Sequence, residues 1–88
     1  MRIEYEKEFA KNFDKALAKI QEAFYERVRL FATDPFHPLL KNHALQGKYQ
    51  GYRSLNITGD WRALFSEYDN YSLVSFETIG THSQLYKK

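Results

Sequence analysis

The stretch Tyr52-Arg-Ser-Leu-Asn-Ile-Thr-Gly-Asp-Trp-Arg-Ala-Leu-Phe65 decides the fold. Apolar residues recur at every second position on both sides of Thr58-Gly59-Asp60, as Leu55 and Ile57 and then Trp61, Ala63 and Phe65, and a period of two marks a strand. A three-residue loop at Thr58-Gly59-Asp60 sets Ile57 against Trp61, Leu55 against Ala63 and Arg53 against Phe65. That register gathers Leu55, Ile57, Trp61, Ala63 and Phe65 on one face, as a core requires. A two-residue loop would scatter them over both faces. Ser54, Asn56 and Arg62 then share the opposite face, with Asp60 at its rim.

Working outward, a second turn is expected at Asp69-Asn70, followed by a last strand from Tyr71 to Ile79. Gly80 then releases a tail, Thr-His-Ser-Gln-Leu-Tyr-Lys-Lys, over residues 81–88. Upstream, Phe9, Phe13, Leu17, Ile20, Phe24, Val28 and Phe31 recur at spacings of three and four, the mark of an apolar helical stripe. One long helix or a tight helical hairpin would both give this stripe, since no Gly or Pro marks a break. Asp34-Pro35 ends the helical region, because the residue before proline is pushed out of the helical basin. Arg2 to Tyr5 alternates and reads as a short first strand. The expected fold is α+β, a small antiparallel sheet in β-α(α)-β-β-β order with the helices on one face.

A chain of 88 residues fits one domain, 1–88, because two separate cores would leave each half too little apolar surface to bury. With no cysteine, neither disulfides nor thiolate zinc can hold it together. Stability must come from packing, for which seven Phe, seven Tyr and one Trp supply large buried areas. The N-terminus is too charged for a secretory segment, and no apolar run nears the ~20 residues that span a bilayer. A soluble, cytoplasmic domain without a membrane partner is expected. The net charge of +2 is a weak guide, but its distribution is more telling. Between positions 41 and 62 stand Lys41, Lys48, Arg53 and Arg62 against Asp60 alone, interleaved with Tyr49, Tyr52 and Trp61. Such a surface suits a phosphate backbone with stacking rings nearby, though a solvated strand pair would look similar.

Three clusters point to chemistry: Asn42-His-Ala-Leu-Gln-Gly-Lys-Tyr-Gln-Gly-Tyr-Arg53, Ile57-Thr-Gly-Asp-Trp-Arg62 and Gly80-Thr-His-Ser-Gln-Leu-Tyr86. In this order and spacing the chain resembles the RelE/ParE superfamily of toxins from bacterial type II toxin–antitoxin systems, most closely its YafQ-like ribonuclease branch. The resemblance runs nearly the whole length, and the strand–helices–three-strand order matches the RelE-like fold.

That resemblance implies an endoribonuclease, an mRNA interferase that cuts messages in the ribosomal A site and is neutralised by a cognate antitoxin in a hetero-oligomer. It also implies chemistry with no metal and no cofactor, in which the RNA 2′-hydroxyl attacks the adjacent phosphate. Such a reaction needs a base near the 2′-hydroxyl, an acid near the leaving 5′-oxygen and cations for the transition-state charge. His82 matches the family's general acid, and an imidazole can carry a transferable proton at neutral pH. His43 and Asp60 match two further active-site positions, one of them the base; Asp60 is also an ordinary turn residue. Arg62 matches a phosphate-contacting arginine, and Tyr86 an aromatic position that stacks on a base, orients the attacking hydroxyl or docks the tail. Lys48 and Arg53 are candidates for holding phosphates, although Arg53 shares a face with core residues. Trp61 reads as core, and His37, in Phe-His-Pro, as a loop residue.

One position departs from the pattern. The branch often carries another histidine where this chain has Asn56, which can bond ribose or phosphate but cannot shuttle a proton. Weight therefore moves to His43, Asp60 and His82. Three other readings compete, one of them a degenerate toxin that retains only antitoxin binding. A ParE-like, gyrase-directed toxin would need no acid–base set, and a metal enzyme would use His43, His82 and Asp60 as a two-histidine, one-carboxylate site.

Overall fold

The structure, a computed structural model, describes residues 1–86; Lys87 and Lys88, the end of the expected tail, lie outside the described residues. The elements are β1 (Arg2–Tyr5), α1 (Lys7–Lys15), α2 (Ala18–Thr33), β2 (His43–Ala44), β3 (Arg53–Thr58), β4 (Trp61–Tyr68), β5 (Leu73–Thr81) and a one-turn helix α3 (His82–Leu85). Short 3₁₀ turns cover Pro38–Leu40 and Gly47–Tyr49.

The helical stripe divides into a hairpin. Ala16 and Leu17 take extended backbone angles, with ψ of 151° and 150°. The Phe13 carbonyl accepts both the Ala16 N–H and the Gln21 side-chain amide, at 3.0 and 2.9 Å, which seals the break without Gly or Pro. Leu17 consequently leaves the stripe and is 65% exposed. Phe9, Phe24 and Phe31 stay buried and meet the sheet. Phe24 packs on Phe9 and Phe76 with ring centroids 5.1 and 5.2 Å apart, and Phe31 on Phe65 at 5.1 Å. Tilted and edge-on arrangements of this kind add to what burial alone contributes.

The sheet has five strands in the order β1-β5-β4-β3-β2. Its three long strands are antiparallel, as expected, but β1 pairs with β5 in parallel, so the sheet is mixed. The parallel pairing arises because α1 and α2 carry the chain away from β1 and the remaining strands return it beside β1 from the other side. In the central hairpin, Leu55 opposes Ala63 and Arg53 opposes Phe65, as expected. The tip differs. Thr58, not Ile57, pairs with Trp61, across a two-residue Gly59-Asp60 turn, and a register shift between Asn56 and Thr58 leaves Ile57 as the extra residue. The bulge keeps Ile57 fully buried while allowing the shorter loop. Gly59 has φ +49°, a conformation that L side chains rarely adopt.

The far turn is likewise tight, with Asp69, Asn70 and Tyr71 all at positive φ. The last strand starts at Leu73 rather than Tyr71 and runs through Gly80 to Thr81, so Gly80 does not end it. Leu55, Ile57, Ala63, Phe65, Val74, Phe76 and Ile79 form one buried cluster with the helices. Ser54, Asn56 and Arg62 fall on the other face. Leu64, also on that face, is nonetheless fully buried, so something covers this part of the sheet. The C-terminal tail returns over this face, and Tyr49 and Tyr52 border it beside Thr78.

Candidate active site

Gly80 pairs with Arg62, so a Cβ at Gly80 would project onto the face that carries Arg62. There it would meet Gln84 Oε1 at 3.1 Å and Leu85 Cδ2 at 3.3 Å. The chain after Thr81 therefore doubles back over β5 and lies on the open face. Thr81 begins that return as the N-cap of α3. Its hydroxyl accepts the Gln84 N–H at 3.2 Å, and the Gln84 side chain accepts the Thr81 N–H at 2.9 Å. Thr81-His-Ser-Gln84 is thus a capping box, a pattern present in the sequence but absent from the expected loose tail. Leu85 is buried by the fold-back.

The capping box fixes where His82 stands. Its backbone N–H donates to the Asp60 carbonyl at 2.9 Å, which ties α3 to the hairpin tip. The imidazole is exposed and packs against the Tyr86 ring, centroids 4.6 Å apart. Tyr86 in turn meets Tyr49 edge-on at 5.7 Å. Burial pushes the Tyr86 phenol above the ordinary tyrosine range; a hydrogen bond with Ser54 and the charge of Arg62 work in the opposite direction.

The two-residue strand β2 pairs with β3 so that His43 lies directly opposite Ser54. His43 is exposed, and its Nδ1 lies 2.7 Å from the Lys41 carbonyl oxygen. A carbonyl only accepts, so in the neutral ring Nδ1 carries the proton and Nε2 the lone pair. An imidazole held this way presents a proton acceptor to solvent, the form a general base requires. Ser54 itself is 1% exposed. Strand alternation put it on this face, but nothing in the sequence marked it as the residue opposite His43.

The remaining expected site residues divide. Asn56 lies opposite Arg62 on the open face. Arg62 folds back on the hairpin tip, its Nη1 donating to the Gly59 and Trp61 carbonyls at 2.8 and 3.0 Å. Asp60 is exposed in the turn and meets His82 through its backbone. Lys48 is exposed beside Tyr49, with Nζ 5.2 Å from the ring centroid. Arg53 does not join this group. It lies on the core side opposite Phe65, donates from Nε to Asn42 at 2.7 Å and sits over the Phe36 ring at 5.6 Å. Trp61 packs against the core, and His37 is a loop residue whose Nδ1 accepts the Leu39 N–H. Among the described residues, no three His, Asp or Glu side chains stand close enough to hold a metal ion. His43, Asp60 and His82 accordingly do not form the two-histidine, one-carboxylate set.

Next to Tyr49 and Tyr52, Glu77 borders a cleft of about 430 Å³ that Glu6 and Lys48 also line. Burial and then the Glu6 carboxylate push the Glu77 carboxyl above its ordinary value, with Ser66 and Ser75 hydroxyls opposing. The folded protein holds this proton more tightly than the unfolded chain. Glu77's stabilising contribution is therefore complete below the ordinary glutamate pKa and lost as pH rises through the raised one. Glu77→Gln should raise the melting temperature at pH 7, with the gain shrinking on acidification. Thermal melts of both proteins across that range check this, and equal melting temperatures at neutral pH would contradict it.

A mixed sheet with a helical hairpin on one face and a histidine-bearing tail on the other defines a RelE-like toxin domain. Residues 1–87 match the family described as "Bacterial toxin of type II toxin-antitoxin system, YafQ", and the chain belongs to that family. It is similar to the mRNA interferase toxin YafQ of Escherichia coli K12, 37% identical over 54 residues that cover 61% of this chain and 56% of that protein. The YafQ of E. coli B/BL21-DE3 is 28% identical over 88 residues, covering 96% of this chain and 94% of that protein. The fold matches the E. coli DinJ–YafQ toxin–antitoxin complex with a TM-score of 0.78 and 30% identity, over 96% of this chain and 94% of the matched one.

Proposed function

We propose that the protein is an mRNA interferase that cuts RNA by attack of a 2′-hydroxyl on the adjacent phosphate. His43 Nε2 takes the 2′-hydroxyl proton as the O2′–P bond forms. His82 gives a proton to O5′ as the P–O5′ bond breaks, leaving a 2′,3′-cyclic phosphate and a free 5′-hydroxyl. Arg62 and Lys48 offset charge on the phosphate, and Tyr86, packed on His82, orients the attacking ribose or stacks on a base. Asn56 bonds ribose or phosphate beside Arg62. No step is assigned to a metal or a cofactor.

One observation carries this assignment. The Lys41 carbonyl fixes the His43 tautomer, so that its free nitrogen serves as a base on the face where Tyr86 holds a second imidazole. The same geometry favours His43 over Asp60 as base. The substrate comes from the relatives named mRNA interferase, and neutralisation by a cognate antitoxin from the DinJ–YafQ complex. The cut is made in the A site of a translating ribosome, in the cytoplasm.

Brief induction followed by primer extension on cellular mRNA tests the function. Growth arrest with discrete cuts inside reading frames is expected, and co-expression of the neighbouring antitoxin gene should relieve it. Intact messages with stalled replication would point instead to a gyrase-directed toxin.

A further inference from the structure

We propose that Tyr49 is a positioning residue for His82. Its phenol is the clasp that holds the histidine-bearing turn on the sheet. This deepens the ribonuclease assignment and rests on it for its catalytic consequence.

α3 is a single turn of four residues, too short to persist by its own hydrogen bonds. Its N-terminus is closed locally by the capping box, which holds the turn's shape but not its place on the sheet. Its place is set by the His82 N–H on the Asp60 carbonyl, by burial of Leu85 and by a side-chain bond from a distant segment. In that bond the Tyr49 hydroxyl donates to the Leu85 carbonyl at 2.8 Å. This carbonyl lies in the last turn, where a helix leaves its acceptors unpaired. The Tyr49 ring also meets Tyr86 edge-on, and Tyr86 packs on the His82 imidazole.

Tyr49 is itself anchored. It ends the 3₁₀ turn Gly47–Tyr49, accepts the Tyr52 N–H at its carbonyl and lies beside the Tyr52 ring at 6.2 Å. The space around it is otherwise loosely filled. Tyr49 lines both the cleft near Glu77 and a cavity of about 340 Å³ bounded by Asn12, Trp61, Gln84 and Leu85. With open volume beside α3, loss of the hydroxyl leaves the turn room to shift. A displacement of about 1 Å from productive geometry can cost up to ~10²-fold in rate.

Tyr49→Phe keeps the ring and removes only the clasp. On programmed ribosomes, kcat should fall roughly tenfold to 10²-fold with KM little changed. In solution NMR, the His82 imidazole signals should move toward random-coil values as the ring leaves Tyr86. In a His82→Ala background, Tyr49→Phe should have no further effect on the residual rate, because it acts through His82. A raised KM at unchanged kcat would make Tyr49 an RNA contact and overturn the proposal. Unmoved His82 signals, or additive losses in the double variant, would also overturn it. If the wild-type protein cuts no RNA, the ribonuclease assignment fails, while the NMR comparison still decides whether Tyr49 holds His82 in place.

Discussion

His82→Ala should remove most RNA cleavage, on the order of 10²–10⁴ in rate, and leave the fold standing. The loss is large because the leaving 5′-oxygen is a poor leaving group until it is protonated, and His82 is the acid assigned to it. The fold should survive because the imidazole is exposed and the bond from residue 82 to the Asp60 carbonyl belongs to the backbone. Exposed positions of this kind usually change stability by no more than about 0.5 kcal/mol. His37→Ala is the control. It removes an imidazole from a loop where Nδ1 caps the Leu39 N–H, a bond typically worth ~1 kcal/mol, and touches no chemistry. Cleavage on programmed ribosomes should separate the two, His82→Ala inactive and His37→Ala close to wild type. Equal activity, with both proteins folded, would contradict the assignment of the acid.

His43→Ala is expected to lose a similar factor, and its pH profile should identify the role. A base that must be unprotonated gives kcat/KM a limb that rises with pH, and removing the base should flatten that limb in the residual activity. Asp60→Asn should cost much less. Asparagine retains the backbone carbonyl that receives the His82 N–H and suits the Gly59-Asp60 turn. If Asp60→Asn were the more damaging change, and His43→Ala kept its rising limb, the base would be Asp60.

Which parts of this site were legible in the sequence follows from where the determinants lie. Alternation from Arg53 to Phe65 set the central register, because a one-residue slip there exposes Leu55, Ala63 and Phe65 together. The same alternation put Asn56 and Arg62 on the open face. The Ile57 bulge was not legible, since a bulge that keeps its residue in the core leaves the apolar pattern unchanged. Nor was the break at Ala16-Leu17, which depends on Gln21 reaching back to the Phe13 carbonyl. His43 and His82 were found through motif resemblance. Their placement on one face, His43 opposite Ser54 and His82 against Tyr86, depends on a two-residue strand and on the tail's return, both set by tertiary contacts. The Thr81–Gln84 capping box was readable, but where the turn lands depends on the missing side chain at Gly80 and on Tyr49. Arg53 shows the converse. Its place in a basic, aromatic segment suggested RNA, whereas Asn42 and Phe36 engage it on the core side.

The central claim is cleavage by the substrate's own 2′-hydroxyl, with two histidines moving the protons. The most direct measurement gives the purified protein ribosomes programmed with a message carrying one 2′-deoxynucleotide on the 5′ side of the scissile phosphate. The unmodified message should yield a 2′,3′-cyclic phosphate and a 5′-hydroxyl, and the deoxy-substituted one should remain whole at that position. Cleavage of the deoxy-substituted bond, or fragments that carry a 5′-phosphate and a 3′-hydroxyl, would contradict the claim.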